Sequence, residues 1–169
     1  MSLLSVYPIS SPDLPNKVLT HHDDIAATLA EQGVRLERRQ ASAFEGDAIA
    51  AHREQVDALM TTNGYLSHAV LSHEGEHQAL GQEHILDAQE LCWFVAGRGQ
   101  LSLRLGEYVY VVLCDKHDLL VVPAGTPRWF DLGEQPRCVA IRLFTTAQGG
   151  VGRFTGEGIA ERFPRLDDC

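Results

Sequence analysis

The stretch Glu83–Gly99, EHILDAQELCWFVAGRG, decides how the chain is read. In an extended strand, alternate side chains point to opposite faces. If the strand runs straight, His84, Leu86, Glu90 and Cys92 share one face, and Trp93 and Val95 take the other. His84 and Glu90 are metal-ligand types; Leu86 between them has no donor atom. A second stretch, Asp118–Asp131, DLLVVPAGTPRWFD, answers the first: an apolar strand, a Pro-Ala-Gly-Thr-Pro turn, then Arg128.

Outward from these stretches the chain is rich in short strands. Strands are expected at Tyr65–Leu71, Glu90–Ala96, Tyr108–Cys114, Leu119–Val122 and Cys138–Phe144. Leu101, Leu103 and Leu105 alternate with Ser102 and Arg104 in another. Gly97-Arg98-Gly99, Gly106-Glu107 and Asp115-Lys116-His117 supply the turns. Many short strands with regular turns predict an all-β sandwich or barrel. Two helices precede them. Thr20–Gly33 has Thr20 as its cap, Ile25 and Leu29 on one face, and Gly33 as its stop. Gly46–Met60 carries Ile49, Val56, Leu59 and Met60 at helical spacing. Residues 1–19 have room for an edge strand.

The two stretches resemble the paired motifs of the cupins, and their wording resembles the acireductone dioxygenase family. That family reads approximately EHxHxxDE followed by RFFVxGxG, and later KGDLxxVPAGTPHWFD. The segments GVRLERRQA and GRFTGEGIAERFPRLD are also similar to it. The likeness runs from Thr20 to the C-terminus and is weakest between Tyr65 and His84, where this chain is shorter than the family pattern. The resemblance implies a single cupin domain over residues 1–169, mainly β with flanking helices. It would comprise a helical part over 20–63, a double-stranded β-helix or jelly-roll barrel over 65–145, and a covering segment over 146–169. The helices would pack outside the barrel.

For function, the resemblance implies a dioxygenase of methionine salvage that joins O2 to 1,2-dihydroxy-3-keto-5-methylthiopentene. With iron such enzymes make the 2-keto acid precursor of methionine and formate; with nickel they release carbon monoxide. The metal would be held by two His and a Glu of the first motif and a His of the second. Carried across, the first His falls on His84 and the Glu on Glu90. The second His falls on Leu86, the third on Arg128, and a substrate-facing Arg on Cys92. Iron or nickel is therefore the implied cofactor, with two of four ligands replaced.

A guanidinium stays charged and cannot ligate. An unpaired carboxylate in an apolar barrel is costly, so Arg128 is expected to point inward and pair with Glu90 in bidentate fashion, with Leu86 filling volume. Arg142, in AIRLF, is expected either to face the cavity and hold an anionic or polar ligand, or to pair with an acid on a surface strand. Phe94, Trp129 and Phe130 read as core. His68, His73 and His77 are the histidines that could supply replacement ligands. His73–His77, HEGEH, matches the H-E-x-x-H zinc-protease pattern, but that chemistry needs a helix, and Gly75 and a preceding strand argue for a loop. Two functions stay open: an oxygenase, and a non-catalytic descendant, a ligand-binding or interaction cupin that kept the fold.

Composition narrows the partners. Net charge is −9 with no basic cluster, which argues against nucleic acid and anionic membranes. No apolar run approaches a membrane span, and MSLLSVYPISS lacks the features of a signal peptide. Cys92, Cys114, Cys138 and Cys169 show no CxxC spacing, as suits reduced thiols in a cytoplasmic protein.

Overall fold

The computed structural model describes residues 2–72, 79–134 and 137–168. In chain order the elements are β1 (Leu3–Pro8), β2 (Lys17–Leu19), α1 (His22–Ala30), β3 (Arg35–Arg38), α2 (Ala48–Ala51) and α3 (Arg53–Asn63). There follow β4 (Ser67–Leu71), β5 (His84–Leu86), β6 (Glu90–Ala96), β7 (Arg98–Leu105), β8 (Tyr108–Asp115) and β9 (Asp118–Val122). The last are β10 (Arg128–Asp131), β11 (Val139–Phe144) and β12 (Gly152–Phe154), then a 3-10 turn at Ile159–Arg162. Antiparallel pairing makes two sheets. The larger has the order β12-β5-β10-β7-β8-β1-β2 and the smaller β3-β9-β6-β11-β4. From β8 to β12 successive strands alternate between the two sheets, as in a jelly roll.

The residues explain the layers. Along β6, Cys92 and Phe94 enter the core between the sheets with Leu101, Leu103, Leu120 and Phe130. Leu91, Trp93 and Val95 turn to the outer face of the smaller sheet, where Ile49, Val56 and Leu59 of α2 and α3 cover them. The seven buried or nearly buried residues of β6 thus serve two cores, which is why the strand reads as an apolar run rather than an alternation. The outer face of the larger sheet is covered by the tail: Trp129 and Val109 meet Ile159 and Phe163. Gly97 has φ +63° at the β6–β7 turn, and a Cβ there would run into the Arg137 carbonyl.

Several expectations change in the folded chain. The first stretch does not run straight: it breaks at Asp87-Ala88-Gln89, so β5 joins the larger sheet and β6 the smaller. Helix α1 starts at His22 after His21, and Thr20 is not its cap. Its Ile25 and Leu29 enter the core between the sheets rather than packing outside. The second helix is two, α2 and α3, meeting at His52. The His52 ring binds the Ala48 carbonyl through Nδ1, accepts from the Ser42 N–H, and packs edge-on against Trp93. These tertiary contacts interrupt the helical period. The region of the two helices also contains β3, paired with β9. The edge strand expected within residues 1–19 is β2; β1 lies inside the sheet, between β8 and β2. Strand β12 in the tail carries no sequence pattern that announces it.

Candidate functional site

Glu90 opens β6 with its side chain between the sheets and no exposure. Its neighbours across the smaller sheet are Val122 and Phe144. Arg128 opens β10 in the opposite sheet, also with no exposure. The turn before it places its own carbonyls around the guanidinium. Arg128 Nε donates to the Thr126 carbonyl at 3.1 Å and Nη2 to the Pro123 carbonyl at 3.0 Å. Nη1 donates to Glu90 Oε1 at 2.9 Å. The inward pair between Arg128 and Glu90 is therefore present, but through one nitrogen rather than two.

The second carboxylate oxygen belongs to Arg142. Its Nε donates to Glu90 Oε2 at 2.5 Å. Arg142 sits on β11 opposite Cys92 of β6 and Ala69 of β4, and is nearly buried. Its guanidinium carbon lies 5.1 Å from the Phe130 ring centre and 5.0 Å from that of Phe144. Arg142 thus faces inward and pairs with the buried Glu90 rather than with an acid on the surface. Burial alone would push the Glu90 carboxyl up; the charges of Arg142 and Arg128 outweigh it and hold the group below the ordinary carboxylate range. Burial, and then the Glu90 charge, push the Cys92 thiol up, so it stays protonated and unreactive.

His84 approaches from the larger sheet, where it pairs in register with Arg128 on one side and Phe154 on the other. Its Nδ1 donates to the Gln82 carbonyl at 2.8 Å. The tautomer with the proton on Nδ1 leaves Nε2 as an acceptor, and that atom is buried without a hydrogen-bond partner among the described residues. Burial lowers the pKa of the ring. Leu86 is fully buried and packs with Ala88 and Phe144. Over this corner lies the segment Gly149–Gly152. A Cβ at Gly152 would meet Leu86 Cδ2 at 2.8 Å, and one at Gly150 would meet Phe144 Cζ at 3.0 Å. The segment lies within the cover expected over 146–169; its seat on Leu86 and Phe144 was not foreseen, and the glycines of GGVG were the one signal for it.

As donors for a metal, His84 and Glu90 offer one ring nitrogen and one carboxylate. Both carboxylate oxygens already accept from guanidinium groups. Among the described residues no three His, Cys, Asp or Glu side chains converge on a point that could hold a metal ion. His68 is exposed on β4, on the opposite face from Ala69 and Arg142. His73 and His77, and with them the HEGEH motif, lie outside the described residues. The arrangement at Glu90 does not fit iron or nickel; it fits a carboxylate bridged by two cations. Cys92, Cys114 and Cys138 are free and buried; Cys169 lies outside the described residues. No helix among the described residues is long and apolar enough to cross a membrane.

Comparison with known proteins places these features. The model of the ARD/ARD' family matches residues 15–152. The acireductone dioxygenase of Pseudomonas fluorescens (strain Pf0-1) is 52% identical, over 99% of this chain and 100% of its own. Those of Stutzerimonas stutzeri (strain A1501) and Pseudomonas aeruginosa (strain UCBPP-PA14) are 51% and 44% identical over the same shares. The aligned length of 181 positions exceeds the 169 residues of this chain, so these relatives carry residues it lacks. An acireductone dioxygenase from Bacillus anthracis, solved with a cadmium ion in its active centre, superposes with a TM-score of 0.74 at 19% identity. It covers 91% of this chain and 98% of its own, and it supports the cupin fold.

Proposed function

Because the chain belongs to the acireductone dioxygenase (ARD/ARD') family, we propose that it is a single-domain cytoplasmic cupin that has exchanged the family's metal for an ion cluster. On this reading it binds a small molecule but does not carry out iron- or nickel-dependent oxidation of an acireductone. One observation carries the proposal: both oxygens of Glu90, the carboxylate at a family ligand position, are held by buried guanidiniums. A metal would have to displace Arg128 and Arg142 and leave both cations unpaired in an apolar interior. Leu86 and Arg128, at two further ligand positions, contribute no lone pair to replace what is lost.

A second reading is an active acireductone dioxygenase with a rearranged ligand set. His84 favours it. Its Nδ1 is anchored on a carbonyl and its Nε2 is buried and unpartnered, which is how metal-binding histidines are commonly oriented. Elemental analysis of protein purified without chelator separates the two, together with an assay of acireductone consumption with added iron or nickel. The proposal expects far less than one metal per chain and no metal-dependent turnover. Stoichiometric metal lost on His84→Ala, or turnover that follows added iron, overturns it.

A further inference from the structure

The ion cluster is not neutral. Two guanidiniums, Arg128 and Arg142, face the single carboxylate of Glu90. The other buried acids among the described residues are engaged elsewhere, Glu83 by Arg104 and Thr155 and Asp118 by Arg38 and Ser2. One positive charge is therefore left over in a buried place, where an unbalanced charge is costly. Arg128 spends its remaining donors on the Thr126 and Pro123 carbonyls. Arg142 does not: its Nη2 is buried with no hydrogen-bond partner among the described residues. The guanidinium carbon lies over the Phe130 and Phe144 rings, 5.1 and 5.0 Å from their centres.

An acceptor lines the same cover as this donor. His84 Nε2 is buried and unpartnered. A Cβ at Gly152 would lie 3.5 Å from His84 Cδ2, and one at Gly150 would lie 3.5 Å from Arg142 Nη1. The cross-strand neighbours of Arg142 are small, Ala69 on one side and Cys92 on the other. Ala69 and Gly150 are only partly buried, so the guanidinium lies one residue below the surface. The corner thus offers one free donor, one free acceptor and one excess positive charge.

We propose that it binds a small monoanion bearing a hydroxyl next to a carboxylate, of the size of glycolate. The carboxylate accepts from Arg142 Nη2, the hydroxyl donates to His84 Nε2, and the negative charge balances the cluster. The inference rests on the metal-free reading.

The test titrates one metal-analysed preparation with glycolate, acetate and glycolamide, by calorimetry and by melting temperature. Glycolate is expected to bind at least tenfold more tightly than acetate, because acetate leaves the His84 acceptor unpaired. Glycolamide, which lacks the charge, is expected not to bind. His84→Phe should reduce glycolate to the level of acetate. Ala69→Leu leaves all three ion-pair partners in place; it should keep the melting temperature of the free protein and abolish glycolate binding. Equal affinity for glycolate and acetate overturns the proposal, as does binding that survives both substitutions. Metal-free protein that binds none of the probes sinks this inference alone. Protein with about one tightly held metal per chain sinks the metal-free reading and this inference together.

Discussion

Glu90 lies between two buried guanidiniums, so its neutralisation and the removal of one arginine are not equivalent. Glu90→Gln strands two cations and should cost roughly 3–5 kcal/mol in chemical denaturation. Arg128→Ala leaves Glu90 paired with Arg142 and is expected to cost less, and Glu90→Gln combined with Arg128→Met should be milder than Glu90→Gln alone. An Arg128→Ala variant as unstable as Glu90→Gln would show that Arg142 does not share the carboxylate. The same residue sets a pH dependence. Its folded pKa lies below the ordinary value, so the unfolded chain takes up the proton first as pH falls. The stabilisation is whole above the unfolded value of about 4.3 and is lost as pH falls through the lower folded value. Wild-type melting temperature should therefore drop more steeply below about pH 4 than that of Glu90→Gln, as thermal melts across the range would show.

At the scale of elements, β5 and β12 form the corner over the site. Their pairing runs through Gly152 opposite Leu86 and Phe154 opposite His84. A side chain at position 152 has no room, since Leu86 Cδ2 and the Ile85 carbonyl would lie within 3.0 Å of its Cβ. Gly152→Val should lift β12 from β5 at a cost of about 1–3 kcal/mol. Amide exchange is expected to accelerate across residues 84–86 while β6 and β11 stay protected. Unchanged protection at β5 would mean that the strand pairing does not depend on this close approach. Strand β6 shows the opposite case. Its bounds, Glu90–Ala96, were legible because an apolar run ends in a glycine turn. The break before it was not legible, because Asp87-Ala88-Gln89 carries no Gly or Pro.

At the scale of the molecule, the site is a meeting of sheets. His84, Leu86 and Arg128 come from one, Glu90, Cys92 and Arg142 from the other. Leu86→His together with Arg128→His supplies the ligand types that the family resemblance implies. The double variant should gain nickel affinity measurable by calorimetry, yet less than a complete site would show, because Arg142 still holds Glu90. Adding a change that releases Glu90, such as Arg142→Met, should raise it further. No gain in either variant would place the metal position elsewhere. The sequence by itself determined the mainly β architecture with its helices, most strand positions, the family, and the inward pairing of Arg128 with Glu90. Period, turn residues and motif spacing are local properties, and a charged residue in an apolar motif demands a partner. Only the tertiary structure decided which arginines share Glu90 and what covers them. The register that sets Phe144 against Glu90, and so brings Arg142 to the carboxylate, joins residues far apart in the chain. So does the pairing that lays Gly152 on Leu86. Neither leaves a mark on the local pattern, because each is fixed by how two sheets pack and not by what either strand prefers alone.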